Sequence, residues 1–545
     1  MTDKLQDIPQ RGWLTADKSY PLHPFLIALA SVLALMVSNL KEVNVFHAAA
    51  ALVGALIFAG AVYAAVGALR RRLDARTAVI ASIWIAGSVY FQSLFGPINT
   101  LLEGGYPMVR ALPVAAGVLM ALTAAVVYTP YAIANVANLV LNGIAVVIFA
   151  TPAWQAASYE WRHGAARATY DADKAAAAMP EIAQAKKAAT GRTAASTPRP
   201  PDIYHFVFDR YTSEAVLKEH FGLDDSKTGR FLEDRGFFVA RGSYANYHRT
   251  AYSLGSTFYM DYLDFLTGAE EIPPNNWQPI HKMLGDHRAA RFLKARGYKF
   301  LQFGSWWTGT YSNPAADLNR PHGFSEFNML YLRRTILRPL FHVLPDTPVT
   351  MRLDWDNAQC QRVAAQIEEI KATGGREHPV YVFAHILLPH GPYNFTTDGR
   401  CLSREASKKR GPRQGYKDQV VYASRIIEDL VSHLQSKDRP SPVIMIQADE
   451  GPFPASKAGV PWHEKSEDSL RIKTAILNAY YFPNGKYDAL TNDISPVNSY
   501  RALFNAYFGT GFALLPNRTF VSPNDSRLYE FHDITDRVRK PPGPR

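Results

Sequence analysis

Two acids, Asp449 and Glu450, come soon after an apolar run at 443–446, and Gly451 follows them directly. Such a run of Val, Ile and Met reads as a strand buried on both faces. In an open α/β sheet, ligands gather beyond the carboxyl ends of the strands. Two carboxylates there, with a glycine to turn the chain, suit a divalent metal. Taken singly, Asp449 could equally cap the following turn. A second strand end supplies a partner. Residues 202–208, DIYHFVF, run straight into Asp209 and Arg210.

Between these acids lies Thr250, where a polar turn, Asn246 to Arg249, opens a helix of small residues. The free N–H groups and positive dipole of a helix start lower the cost of an alkoxide or a bound phosphate. A plain threonine cap fits the same position. A third apolar run, 380–388, contains His385 and leads to His390 in a Pro-His-Gly-Pro turn. A histidine inside an apolar strand is more often a packed core residue, so His385 has a bland alternative. His390 has no packing duty in its turn and is the better candidate to move a proton or hold an anion.

These groups need a scaffold, and the pattern around them provides one. Apolar strand patterns at 202–208, 236–240, 298–303, 380–388, 443–446 and 474–481 alternate with helical patterns at 213–235, 289–296, 359–371, 416–434 and 498–508. That alternation predicts a mostly parallel sheet with helices on both faces. An aromatic, irregular insertion at 305–350 carries Trp306 and Trp307, and reads as a substrate-facing region.

The amino-terminal part obeys different rules. Apolar runs at 23–40, 45–69, 78–95, 111–128 and 130–150 each approach or reach the ~20 residues a helix needs to cross a bilayer. About five transmembrane helices are therefore expected. Arg70, Arg71, Arg72 and Arg76 fall between the second and third runs, which makes that loop cytoplasmic and puts the chain beyond about 151 outside. The expected divisions are a cytoplasmic start at 1–22, a transmembrane domain at 23–151, a helix and Pro-rich linker at 152–200, and an extracytoplasmic domain at 201–545. The net charge of +11 is partly that arginine cluster and is otherwise scattered, so nucleic acid is not an expected partner. The two cysteines, Cys360 and Cys401, lie on the outer side, where a disulfide and free thiols both remain open.

The order strand-acid, hydroxyl at a helix start, histidine loop, strand-acid resembles the alkaline phosphatase superfamily. The resemblance is nearest to its membrane-anchored, sulfatase-like branch of lipoteichoic acid synthases and phosphoethanolamine transferases. It spans the layout of nearly the whole chain. Its local carriers are RTAYSLGSTF at 249–258, HILLPHGPY at 385–393 and SPVNSYRALFNAYFG at 495–509. It implies Asp209 and Asp449 as metal ligands and Thr250 as nucleophile and ligand. His385 and His390 would stand near the substrate phosphate, and His463, in PWHEKSE, would be a downstream histidine of the same site.

One departure stands out, for the family's Asp-His-Gly is here Asp449-Glu450-Gly451. Glu450 as a ligand would shift an oxygen-rich site from zinc towards manganese, magnesium or calcium. The Cys/Ser-x-Pro-x-Arg signature of sulfate-ester hydrolysis is missing around Thr250. The resemblance thus implies a metal-dependent phosphotransferase of the bacterial inner membrane, multi-pass, with its catalytic domain on the periplasmic face. It would move a phospholipid-derived headgroup onto an envelope glycan or lipid through a phosphothreonine. The alternatives are a hydrolase of phosphate or sulfate esters and a non-catalytic envelope protein of the same fold.

Overall fold

A computed structural model describes residues 15–16, 20–43, 45–105, 108–169, 199–267, 274–344, 355–374, 377–455 and 459–539. The chain forms two compact units: Met1–Gly164 with Glu326–Asp354, and Ala165–Ser325 with Trp355–Arg545.

The first unit is helical: α1 (His23–Ser38), α2 (Val45–Arg70), α3 (Ala75–Val89), α4 (Phe91–Leu101), α5 (Ala111–Tyr128) and α6 (Tyr131–Thr169). Asp74 caps α3 by accepting from the Thr77 backbone N–H at 2.8 Å, and Arg70 pairs with the same carboxylate at 2.5 Å. Ile57, Leu139 and Val147 stay more than 60% exposed, as a lipid-facing surface requires. Inside, polar groups join helices: His23 Nδ1 meets Ser82 Oγ at 2.5 Å and its Nε2 meets Asn138 Oδ1 at 3.1 Å.

The expected count of about five spans changes here. Among the described residues, α2, α5 and α6 are long and apolar enough to cross a membrane, and α3 with α4 makes a fourth only if a pair bent by 64° is one span. The run at 78–95 breaks at Tyr90, and the first run yields a helix of only 16 residues because it stops at Ser38. The described part of Glu326–Asp354, expected within the 201–545 domain, groups with these helices instead. Its helix, Glu326–Arg334, buries Phe327 and Tyr331 among residues of α1 and α2. The Tyr331 hydroxyl meets Ser31 Oγ at 2.9 Å, and the Ile336 N–H donates to the Ser88 carbonyl at 2.9 Å. Most of the expected linker, 170–198, lies outside the described residues.

The second unit is built on a seven-stranded sheet of β1 (Ile203–Phe208), β2 (Phe238–Val239), β3 (Lys299–Phe303), β4 (Leu318–Asn319), β5 (Val380–Ile386), β6 (Val443–Gln447) and β7 (Asn478–Tyr481). Their order across the sheet is β2-β7-β6-β1-β5-β3-β4. Only the pairs made by β7 are antiparallel. The expected mostly parallel α/β domain is what forms. Every residue of β1, β5 and β6 is buried, since helices cover both faces. Phe206, Phe208, Ile386 and Ile446 pack against α8 (Trp355–Lys371) and α9 (Pro412–Leu434) through Val363, Ile367, Val420 and Ile427. Val207, Phe383 and Met445 face the other way. They pack with Phe258 of α7 (Thr250–Tyr259) and with Leu503 and Phe504 of α10 (Ser499–Phe508). Each such side chain contributes about 1.5–3 kcal/mol by leaving water. Cys360 and Cys401 are disulfide-bonded, with Cα atoms 6.1 Å apart.

Two buried histidines on this second face make stability depend on pH. His205 meets the Tyr500 hydroxyl at 2.8 Å, and His287 stacks on Phe258 with ring centroids 4.1 Å apart. Burial lowers the pKa of each from 6.5 to about 3. The unfolded chain therefore takes up protons below pH 6.5 that the folded chain refuses. Their contribution is complete above pH 6.5 and is lost as pH falls towards 3. By pH 5 the loss is about 2 kcal/mol per histidine. Thermal unfolding of the detergent-solubilised protein should drop between pH 7 and 5, and His205→Gln should flatten that drop. An unchanged slope in the variant would refute the assignment.

Candidate active site

The register of three central strands brings their ends together. Phe208 on β1 pairs with Ile386 on β5, and Val207 lies between His385 of β5 and Gln447 of β6. The Asp209 N–H continues this ladder, donating to the Ile386 carbonyl at 3.0 Å. Asp209, His385 and Asp449 consequently present ligand atoms all within 4.8 Å of one another. All three are buried, with 3%, 0% and 2% exposure. Asp209 Oδ1, His385 Nε2 and Asp449 Oδ2 have no hydrogen-bond partner. Leaving such atoms unsatisfied costs about 1–3 kcal/mol each. Two carboxylates and an imidazole converging with open lone pairs fit a divalent cation.

The histidine is oriented from behind. Its Nδ1 meets Thr310 Oγ1 at 2.7 Å, and that hydroxyl meets Ser305 Oγ at 2.9 Å. The tautomer protonated on Nδ1 leaves the Nε2 lone pair facing Asp209 Oδ2, 3.3 Å away. His385 thus sits among the ligand-type groups, whereas the sequence placed it beside substrate.

Thr250 is the first residue of α7, after Arg249 in extended conformation. It stands near enough to Asp449 to favour that acid's charged form. The Arg210 backbone N–H reaches Asp449 Oδ1 at 3.2 Å. Burial pushes the Asp449 carboxyl well up, the charges of Asp209 and Glu450 add to that, and Thr250 and the Arg210 N–H oppose it. For Asp209 burial also acts upward, but His390, His385 and Arg210 outweigh it and hold the group below the usual carboxylate range. Two buried acids this close keep their charges only with a compensating cation or a shared proton.

The remaining expected residues divide. His390 stands close enough to feel Asp209, Arg210 and Glu450; burial lowers its pKa and Asp209 raises it. Its ring lies 5.7 Å from that of Trp306, edge to face. Glu450 turns from the ligand group to two cations, Lys473 Nζ at 2.5 Å and Arg210 Nε at 3.2 Å. His463 stacks on His532 at 4.1 Å and lies 3.5 Å from Glu464, and it is not a member of the Asp209–His385–Asp449 group. Lys473 and Thr310 carried no signal in the sequence. Lys473 sits in an ordinary helical stretch, RIKT, and Thr310 in an irregular aromatic segment.

A family model described as Sulfatase matches residues 219–494, just over half of the 545 residues. The chain belongs to the sulfatase family. It is an enzyme of the alkaline phosphatase superfamily. The sulfatase match contains Thr250, His385, His390, Asp449, Glu450 and Lys473, and Asp209 stands just ahead of it.

Among solved structures, the periplasmic domain of EptC from Escherichia coli is 14% identical, covering 62% of this chain and 94% of its own, with a TM-score of 0.37. A zinc complex of that EptC domain is 13% identical, covering 63% and 94%, with a TM-score of 0.36. The lipooligosaccharide phosphoethanolamine transferase EptA from Neisseria meningitidis is 14% identical, covering 90% and 96%, with a TM-score of 0.34. No curated protein matches the chain. Family membership rests on the family-model match.

Proposed function

We propose that this sulfatase-family protein is a metal-dependent phosphotransferase whose nucleophile is Thr250. The observation that carries this reading is the buried Asp209–His385–Asp449 group, with Thr250 opening α7 near enough to Asp449 to favour that acid's charged form. Those three residues, with the Thr250 oxygen, would hold one divalent cation of the manganese, zinc, magnesium or calcium class. When bound, the cation supplies positive charge that favours the threonine alkoxide and screens the phosphate.

The protein's own groups account for the proton traffic. Thr250 Oγ1 attacks the phosphorus of a phosphodiester while its proton passes to Asp449, the neighbouring acid. The departing lipid alcohol takes a proton from His390. In the second half, an acceptor hydroxyl attacks the phosphothreonine and returns a proton to His390, while Asp449 reprotonates Thr250. The α7 amino terminus favours the charge that develops on the phosphoryl oxygens.

The membrane helices support a phospholipid as donor and an envelope glycan or lipid as acceptor, at a bacterial inner membrane. Arg70–Arg72 and Arg76 support a periplasmic catalytic domain. The threonine, with no sulfatase signature around it, supports phosphoryl over sulfuryl chemistry. The test is elemental analysis with intact mass of the purified protein incubated with phospholipid. One equivalent of metal and a phosphodiester adduct that maps to Thr250 are expected. Absence of both would refute the reading.

A further inference from the structure

Arg210 follows a ligand-type acid directly, where its charge should oppose a cation. Its backbone is left-handed, with φ of 67°, a conformation that disfavours residues with a Cβ and collects at functional sites. That turn lets its N–H reach Asp449 and its carbonyl accept from the Tyr416 hydroxyl at 2.9 Å.

The side chain is placed as firmly. Nε lies 3.2 Å from Glu450 Oε1 and 3.8 Å from Asp209 Oδ1, and the guanidinium covers the Phe453 ring at 4.4 Å. Lys473 Nζ lies over the same ring at 4.0 Å and holds the same Glu450 oxygen. One carboxylate thus serves two cations, leaving one positive charge uncompensated within the trio. Among the described residues, the Arg210 Nη1 and Nη2 groups have no hydrogen-bond partner. Its side chain keeps 17% exposure, against 1% for Lys473 and 4% for Glu450. Of the three, Arg210 is the one that offers free donors.

We propose that Arg210 is a substrate-phosphate ligand, a forked donor to the non-reacting oxygens of a phosphoryl group, and that Glu450 is its positioning residue rather than a metal ligand. A guanidinium fork matches two phosphate oxygens, as a lysine ammonium does not. Glu450 fixes the fork by its Nε edge and leaves the Nη edge for the anion. The negative charge that Glu450 adds to the site is then matched by Arg210 and Lys473, so a glutamate at this strand end does not repel an anionic phosphate.

The inference rests on the phosphotransferase reading, and one experiment separates the two. Inorganic phosphate binding is measured by calorimetry on the full chain in detergent, loaded with manganese, alongside metal content. Wild type should hold one metal and bind phosphate. Arg210→Gln should keep the metal and weaken phosphate at least tenfold. Arg210→Lys, which keeps the charge and loses the fork, should weaken it at least threefold. Glu450→Gln should keep the metal and also weaken phosphate. A wild type without metal-dependent phosphate binding overturns the phosphotransferase reading and this inference with it. Phosphate affinity unchanged in either arginine variant, or metal lost in Glu450→Gln, overturns the inference alone.

Discussion

Thr250→Ala should reduce phosphoryl transfer by about four orders of magnitude or more, the scale seen when a nucleophile is removed from a unit of interdependent groups. The substitution takes away the atom that would form the covalent bond. It also removes one of the four groups proposed to hold the cation, so metal affinity should fall, while Asp209, His385 and Asp449 stay in place to bind metal at higher concentration. Alanine is also a good helix residue, and Thr250 is the first residue of α7 rather than its cap, so the folded state should lose less than about 1 kcal/mol. Thr250→Ser keeps a hydroxyl in the same position and should retain measurable turnover and the covalent adduct. The decisive measurement is kcat for a fluorescent phospholipid donor, with intact mass read in parallel. Near-normal turnover in Thr250→Ala would remove Thr250 from the mechanism, and the nucleophile would have to be sought elsewhere in the group.

The chemistry of this site was legible wherever a residue sat at the end of a strongly patterned element. The apolar runs before Asp209 and Asp449 could only be central strands, and central parallel strands deliver their carboxyl ends to one edge. Thr250 was legible for a similar reason, since a helix start announces itself by its turn residues. His385 was harder, because nothing in an apolar strand tells a packed histidine from one whose Nε2 meets two acids. The register of β5 against β1 decides that, and register is a tertiary property. Glu450 shows the limit most clearly. Adjacent to Asp449, it looks like a second ligand, yet successive residues leave a strand end in different directions. Lys473, from a distant helix, supplies the charge that captures it. The membrane count erred for a local reason. Hydropathy runs through Tyr90, whereas the helix axis bends there by 64°. The returning helix Glu326–Arg334 gave no apolar run at all, because only one of its faces is buried.

Asp449→Asn should abolish metal binding while making the metal-free protein more stable. Asp449 is 2% exposed and stands within ligand range of Asp209. Burial and the charges of Asp209 and Glu450 all disfavour its ionised form. Two buried like charges this close persist because a cation compensates them, and removing one relieves a repulsion of roughly 1–3 kcal/mol when the cation is absent. Asparagine keeps a side-chain oxygen for the Arg210 N–H, so that hydrogen bond can survive. What it loses is the formal charge that holds a divalent ion, and affinity should fall by more than about 100-fold, beyond the usual effect of outer-shell partners. The two effects separate in a thermal melt. With metal at a hundredfold excess over its Kd, the wild type should gain about 2.7 kcal/mol, and chelator should reverse that gain. Asp449→Asn should melt above the chelated wild type and show no response to metal. A variant that is still stabilised by metal would mean that Asp449 is not a ligand. One that melts below the chelated wild type would mean that Asp449 contributes to folding by its own bonds, and that the burial of paired acids at this sheet edge is not held in reserve for a cation.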